Sequence, residues 1–156
     1  METEKKKLYS FVHYYLKSAI DENKRIHSIT VLSECVNLLS SFFREMSWVG
    51  FYLVEDDYLY LGPYLKGYGT TEEINKGEGL IGKAYEDEEV QICADVTKIE
   101  GYDSATGSTK SEIAVPVFKK NKVVAVLDIN SDHFDAFDDV DEKNLEKIVK
   151  LIGSVL

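Results

Sequence analysis

The pattern of hydrophobic and polar positions divides the chain into two helical ends and a β-rich middle. Apolar side chains recur at the spacing of an amphipathic helix near the start, which predicts helices over about residues 7–20 and 26–44. The same spacing near the end predicts a third helix over about residues 139–155. Asp138 and Asp141 stand where this helix would begin, so we interpret them as helix caps rather than metal ligands.

The middle of the chain has the composition of strands separated by two polar loops. Apolar, β-branched and aromatic residues predict strands over 48–54, 58–61, 90–93, 111–118 and 122–130. Gly62-Pro63 is expected to end the second strand, and a short helix is expected near 79–86. The polar segments 66–76 and 95–110 are interpreted as loops. This order predicts an α+β fold with a central antiparallel sheet, helices on one face and pocket-forming loops on the other.

The last predicted hairpin has a strongly patterned register. Its odd-numbered positions are apolar, namely Ile113, Val115, Val117, Val123, Ala125, Leu127 and Ile129. One clean core face requires odd positions to oppose odd positions, which predicts a three-residue loop at 119–121. In that register Glu112 lies directly opposite Asp128, with Asn130 diagonal to both, on the face away from the core.

Two opposed carboxylates need an explanation because like charges at this spacing destabilise a sheet. Either Glu112 and Asp128 are solvated at a sheet edge, or they form an acidic cluster that binds an ammonium group or donates a proton. Trp48 and Tyr52 share one face of their strand and can supply aromatic walls, although ordinary core packing explains such residues equally well. Carboxylates beside aromatic faces suit a small cationic or zwitterionic ligand.

Length and charge narrow the class of protein. The chain has 156 residues, the length of one domain, divided into a helical segment 1–44, a sheet with pocket loops over 47–130 and the helix at 139–155. Its 18 basic and 28 acidic residues give a net charge of −10, which argues against nucleic acid and anionic membranes as partners. No apolar run approaches the ~20 residues that span a bilayer, and the charged start lacks a signal-type core. We expect a cytoplasmic protein.

The cysteines and glycines favour structural roles. Cys35 lies on a helical apolar stripe and Cys93 at a strand end, and two cysteines cannot build a four-thiolate zinc site. The histidines lack metal-ligand spacing, so we expect neither a metal nor a cofactor. The segment 77–82 matches G-x-G-x-x-G but lacks the parallel strand and crossover that dinucleotide binding needs. It is interpreted as a tight turn into the short helix.

Several segments together resemble a known family more specifically than any one of them does alone. They are Trp48–Leu53, Leu61–Tyr64, Lys76–Ala84, Ser111–Pro116 and Val126–Ile129, with Phe137-Asp138 near the end. From about residue 28 onward the chain resembles the GAF domains of the free methionine-(R)-sulfoxide reductase family. The resemblance implies a six-stranded GAF sheet, a small-ligand pocket under the two loops, and commonly a homodimer.

The resemblance also implies roles for five residues. In that family the pocket holds free methionine sulfoxide, with an aromatic pair around the methyl sulfoxide and a Glu and two Asp on the polar groups. Trp48 and Tyr52 match the aromatic pair by position. Glu112 and Asp128 match two of the acids, and Asn130 stands where the family has its second Asp.

The family's three cysteines have no counterpart at their positions, which read Thr71, Ile81 and Ala105 here. Sulfoxide reduction through a sulfenic acid and a disulfide needs an attacking and a resolving sulfur. We therefore expect a non-catalytic module, without catalytic residues, that binds an amino-acid-like or cationic metabolite. Two alternatives remain: an active reductase with a relocated thiol, and a dimerisation module with a vestigial pocket.

Overall fold

The computed structural model describes residues 3–65, 71–104 and 106–156. In these ranges the α-helices are α1 (Glu4–Glu22), α2 (Ser28–Phe42), α3 (Gly79–Asp87) and α4 (Asp139–Gly153). The strands are β1 (Met46–Glu55), β2 (Tyr58–Leu65), β3 (Glu73–Asn75), β4 (Gln91–Cys93), β5 (Ser111–Lys119) and β6 (Lys122–Ser131). A short 3₁₀ turn covers Val96–Lys98. None of the described helices combines the length and the apolar character needed to cross a bilayer.

The strands form one six-stranded antiparallel sheet in the order β3-β2-β1-β6-β5-β4. Helices α1, α2 and α4 pack on one face around a large apolar core. The short helix α3 lies on the other face, where Ile81 and Ala84 join a smaller apolar cluster with Trp48 and Tyr52. The predicted α+β class and six-stranded sheet are confirmed, with α3 on the loop side of the sheet.

A capping box at the start of α4 also fastens α1 to the domain. The side chain of Asp138 accepts from the amides of Val140 and Asp141, and the Asp141 carboxylate accepts from the Asp138 amide. The buried Asp141 carboxylate also accepts from the Tyr9 hydroxyl at 2.7 Å and from Lys5 Nζ at 2.6 Å. The predicted caps are therefore confirmed, and one of them holds two helices together.

Strand β2 continues past Gly62-Pro63, so the expectation that this pair ends the strand is wrong. Tyr52 pairs with Leu61 and Gly50 with Tyr64, which leaves two β2 residues opposite Phe51 alone. This is a β-bulge, a position that tolerates proline because no ladder bond from its nitrogen is needed. The loop expected over 66–76 contains β3, and its residues 66–70 lie outside the described ranges.

The β5–β6 hairpin corrects the predicted register. Lys119 pairs with Lys122, so the loop has two residues rather than three, and Lys120 and Asn121 have φ of 49° and 64° as a tight hairpin turn requires. A bulge then shifts the register between Phe118↔Val123 and Val117↔Ala125.

Because the bulge adds one residue to a strand, odd-numbered positions again lie opposite odd-numbered positions beyond it. A three-residue loop without a bulge gives the same alternation, which explains why it fitted the sequence pattern. The bulge also turns Val123 to the α3 side of the sheet, whereas Ala125, Leu127 and Ile129 face the main core as expected. Beyond the bulge, Glu112 pairs with Asn130 and Ala114 pairs with Asp128. Glu112 and Asp128 are therefore diagonal neighbours, not the directly opposed pair of the sequence prediction.

Candidate functional site

The two carboxyl groups meet inside the domain, on the sheet face that α3 covers. Glu112, Asp128 and Asn130 are only 3%, 2% and 3% exposed, so the alternative of a solvated pair at a sheet edge is wrong. The carboxyl groups of Glu112 and Asp128 lie close enough to share a hydrogen bond when one of them is protonated, despite their diagonal positions. The Tyr102 hydroxyl donates a further hydrogen bond to Glu112 Oε2.

Burial changes the protonation of this pair. Desolvation raises the pKa of Glu112, although its hydrogen bonds act in the opposite direction. Desolvation is the largest cause that raises the pKa of Asp128 well above its usual range, and the charge of Glu112 is the next largest. Two neighbouring carboxyl groups out of water cannot both ionise cheaply, so ionisation of the second group is disfavoured.

Three buried polar atoms near this pair lack a hydrogen-bond partner among the described residues. They are Asp128 Oδ1, Asn130 Oδ1 and Trp48 Nε1. Leaving such an atom unpaired costs about 1–3 kcal/mol, which is why buried polar groups in folded proteins are nearly always paired. Two free acceptors and one free donor in the wall of one cavity are the expected signature of a site that a polar ligand completes.

A cavity of about 510 Å³ opens above these residues, between the sheet, α3 and the segments before β3 and β5. This volume falls in the range of about 300–1,000 Å³ usual for small-molecule sites. All five residues predicted to bind a ligand line it: Trp48, Tyr52, Glu112, Asp128 and Asn130. The structure thus brings the predicted set together, and its role in binding stays a prediction.

The aromatic wall is built by β1 and β2. The Trp48 ring lies 6.2 Å from that of Tyr52 and is stacked on Tyr64 at 5.8 Å. Gly50 makes room for this arrangement, because a Cβ there would lie 2.4 Å from Trp48 Cη2 and 2.7 Å from Tyr64 Cβ. The indole is therefore held in a slot that only glycine leaves open.

Hydrogen bonds join the two loop segments at the cavity. Thr71 Oγ1 donates to Asp103 Oδ2 at 2.7 Å, and the Tyr52 hydroxyl donates to the Thr71 carbonyl at 2.9 Å. Tyr102 and Asp103 both line the cavity, and the sequence prediction missed both. The signal that could have found Tyr102 is an aromatic residue in a loop otherwise rich in Asp, Gly, Ser and Thr.

The glycine-rich segment forms a tight turn, as predicted. Gly77 and Gly79 have φ of 81° and 60°, and the Gly77 amide donates to the Gly82 carbonyl at 2.9 Å. Strand β3 before it pairs antiparallel with β2, so the described residues contain no parallel βαβ unit here.

Neither cysteine lines the cavity. Cys35 is fully buried in the core between the helices and the sheet, where burial raises the pKa of its thiol. Cys93 is half-buried on β4 and pairs with Glu112, which directs its side chain to the same sheet face as that residue. Of the positions that resemble the family's cysteine sites, Thr71 and Ile81 line the cavity, whereas Ala105 lies outside the described residues.

Comparisons with known proteins agree with this architecture. Residues 29–156 match the family model of the GAF domain. The chain is 36% identical to "GAF domain-containing protein A" of Dictyostelium discoideum, over 85% of this chain and 82% of that protein. It is also 36% identical to the free methionine-R-sulfoxide reductase of Escherichia coli (strain K12), over 82% of this chain and 77% of the enzyme. The reduced form of fRMsr from Staphylococcus aureus superposes with a TM-score of 0.87 at 37% identity, covering 95% and 94% of the two chains.

Proposed function

The chain belongs to the GAF domain family and is related to the free methionine-R-sulfoxide reductases, and from this premise we propose that it is a non-catalytic binding module. Its ligand is a small amino-acid-like or otherwise cationic metabolite that occupies the cavity above β1, β5 and β6. The observation that carries the proposal is the pair of buried, unpartnered acceptors Asp128 Oδ1 and Asn130 Oδ1 beside Glu112.

An ammonium group fits this acceptor set. It carries three donors and a positive charge, so it can satisfy the free oxygens of Asp128 and Asn130 and compensate a carboxylate charge on Glu112. A neutral hydrogen-bond donor would pair with the oxygens but would leave the second carboxyl protonated. The cavity therefore favours a cation over a neutral molecule of the same shape.

The aromatic wall fits the other end of such a ligand. Trp48 and Tyr52 offer ring surface in a part of the cavity lined also by Ile74 and Ile81. A thioether, an aliphatic chain or a ring packs favourably against such a surface. A free amino acid with an apolar side chain combines both halves of this requirement in one small molecule.

The absence of a thiol from the cavity wall supports binding without redox chemistry. Reduction of a sulfoxide by cysteine needs a sulfur within bonding reach of the substrate sulfur. The chain has only two cysteines, and neither Cys35 nor Cys93 lines the cavity. Threonine and isoleucine at positions 71 and 81 cannot replace the missing sulfur chemistry.

Isothermal calorimetry tests the proposal with methionine, both epimers of methionine sulfoxide and a panel of other free amino acids. We expect saturable binding of at least one of these, and a loss of about 100-fold or more in affinity in Asp128→Asn, since a desolvated charge interaction disappears. Asp135→Asn is the matched control, because this acid is exposed and lies away from the cavity lining. No heat from any compound in the panel would reject the proposal.

A second candidate, a reductase that uses a relocated thiol, draws on the position of Cys93. This residue is the register partner of Glu112 and shares its sheet face, and relatives of the chain are named as reductases. NADPH consumption coupled through thioredoxin, with free methionine-(R)-sulfoxide as substrate, tests it. Turnover that disappears in Cys93→Ser would replace the binding-module proposal, whereas no turnover in the unmodified protein rejects the reductase.

A further inference from the structure

A second concave site lies apart from the cavity above the carboxyl pair. It is a groove of about 530 Å³ between α4 and the segment 88–90, beside the second half of β5. None of the described residues that line it also lines the cavity of the candidate site. We call it the acidic groove. It is large enough to hold side chains of another molecule, so its shape and charge indicate what it can bind.

The acidic groove exists because β4 is much shorter than its neighbour β5. Strand β4 pairs with β5 at residues 112–114, whereas β5 continues to Lys119. Within the described ranges, no strand therefore lies beside the outer edge of β5 over residues 115–119. Pro116 lies in this stretch and has no N–H that could donate to an added strand. The acidic groove is thus suited to side chains of a partner rather than to a further strand of the sheet.

The floor of the acidic groove is apolar and includes an exposed aromatic ring. Val90, Pro116 and Phe118 contribute to it, together with the buried side chain of Val149. Phe118 is 40% exposed although its side chain is large and apolar. Gly153 lets the end of α4 lie directly against β5, because a Cβ there would clash with the Phe118 carbonyl oxygen. Since α4 cannot move closer to cover the Phe118 ring, burial of this ring has to come from another molecule.

The walls of the acidic groove carry negative charge that the chain does not compensate. Glu88 and Glu89 lie on one side, and Glu142 and Glu146, one helical turn apart on α4, lie on the other. Among the described residues of the lining, Lys150 alone is basic. In the part of the chain that the structure describes, none of the four carboxylates forms an ion pair. The acidic groove therefore presents free acceptors on both sides of an apolar floor.

We propose that the acidic groove binds a basic peptide segment of a partner protein, in which Lys or Arg residues flank a large apolar side chain. The apolar side chain packs on Phe118 and Val90, and the flanking cations pair with the carboxylates of the two walls. Lys and Arg suit this surface because their aliphatic stems cover apolar atoms while their charged ends reach the acids. Nucleic acid and anionic lipid would be repelled. A second copy of the chain centred here would bring the same carboxylates against each other, which opposes association.

Fluorescence anisotropy with the full chain tests the proposal. The probes are labelled synthetic peptides with one Phe or Leu flanked on both sides by Lys at different spacings. We expect saturable binding of at least one of them, and a loss of about tenfold or more in affinity when its apolar residue is replaced by Ser or its Lys residues by Glu. Binding should also weaken as the salt concentration rises. Failure of every peptide to bind, or equal binding of the Ser-substituted peptides, would overturn the proposal.

Charge reversal on α4 tests whether the peptide lies in the acidic groove. Glu146→Lys should weaken peptide binding by about tenfold at low salt, because it places a cation beside the cations of the peptide. Glu34→Lys is the matched control, since Glu34 is also an exposed acid within a helix but does not line the acidic groove. Equal losses in the two variants would show that the peptide responds to the net charge of −10 and not to the acidic groove.

Truncation of the exposed ring tests the apolar floor. Phe118→Ala should weaken peptide binding by about tenfold, whereas Phe134→Ala, which removes a ring that is 55% exposed outside the acidic groove, should not. Both variants should keep the far-ultraviolet circular dichroism spectrum of the parent. Amino-acid binding in the cavity should be the same in Phe118→Ala as in the parent, so this proposal and the proposed function can fail separately. Displacement of the peptide by unlabelled chain would identify a second copy as the occupant and overturn the proposal.

Discussion

Glu112 and Asp128 lie diagonally across neighbouring strands, are both buried, and have their carboxyl groups within hydrogen-bonding reach of each other under a cavity. One proton on this pair removes the repulsion between two carboxylates, and a cation in the cavity could do the same. The pair therefore couples folding to protonation and, under the proposed function, to ligand binding as well. Each of these can be measured separately.

The stability of the protein without added ligand should depend on this pair in a defined direction. Folding raises the pKa of both groups above their unfolded values of about 4.3 for Glu and 3.9 for Asp. The folded state thus binds more protons than the unfolded state, so the pair's contribution to stability is full below about pH 4 and is lost as pH rises through the raised values.

Thermal unfolding of the parent chain and of Asp128→Asn tests this sign between about pH 4, close to the reference values, and about pH 8, well above them. The melting temperature of Asp128→Asn relative to the parent should increase as the pH rises, because the variant has no second charge to bury. Asp135→Asn serves as the control for loss of one negative charge. A difference between parent and Asp128→Asn that is constant across this range would contradict the raised pKa values.

Binding of a cationic ligand should release protons. The ligand's charge stabilises the ionised form of the pair, so it lowers the raised pKa values and displaces up to about one proton per site at a pH below those raised values. Affinity should then increase with pH until the pair is ionised in the free protein. Calorimetry in buffers of different ionisation enthalpy measures the released protons directly, and Asp128→Asn should release far fewer. Proton uptake on binding would exclude an ammonium group at these carboxyls.

The close packing at Gly50 predicts that a larger residue there lowers the stability and changes the fluorescence of Trp48. Gly50→Ala places a methyl group against Trp48 and Tyr64, and overpacking of this kind costs about 1–3 kcal/mol in the free energy of unfolding. Trp48 is the single tryptophan of the chain, so its emission reports the displacement of the ring. Denaturant unfolding followed by tryptophan fluorescence measures both quantities.

Gly107→Ala is the control for that experiment. A Cβ at Gly107 would meet open space, although its φ of 77° strains an alanine. This strain costs about 1–2 kcal/mol and should leave the tryptophan emission unchanged. If Gly50→Ala also left the emission unchanged, the indole would not depend on the slot.

The hydrogen bond between Thr71 and Asp103 joins the two segments beside the cavity and predicts a kinetic effect. Thr71→Val keeps the shape of the side chain but removes the donor. Because the bond is exposed, its loss should change the stability by less than about 1 kcal/mol, whereas ligand association and dissociation should both become faster. Stopped-flow tryptophan fluorescence with a ligand identified by calorimetry measures the two rates, and Thr106→Val is the control in the neighbouring loop. Unchanged rates in Thr71→Val would show that the bond does not limit entry.

Much of the site follows from the alternation of side chains along three strands. Parity alone assigns Glu112 and Asp128 to the face opposite Ile113 and Leu127, and the structure confirms that assignment. Parity cannot fix loop length, however, because a two-residue turn with one bulge gives the same alternation as a three-residue turn. The prediction therefore had the correct face and the wrong pairing partner for Glu112.

Contacts between segments distant in the sequence were harder to predict. Tyr102 reaches Glu112 from a loop, and Asp103 meets Thr71 across 32 positions of sequence. No periodic pattern encodes such contacts, since they depend on how irregular backbone folds over the sheet. Similarly, Cys93 was predicted to be structural, and only the pairing of β4 with β5 reveals that it neighbours Glu112.

The carboxylate of Asp141 has a consequence for where the folding unit begins. The family match starts at residue 29, after α1 has ended. Yet a chain shortened to that boundary would lose Lys5 and Tyr9, which donate to Asp141, together with Val12 and Leu16, which α1 buries in the main core. Removing buried apolar side chains and buried hydrogen bonds together is strongly destabilising. The homologous region and the autonomous unit are thus different lengths of this polypeptide, and an excised fragment should be cut ahead of Lys5.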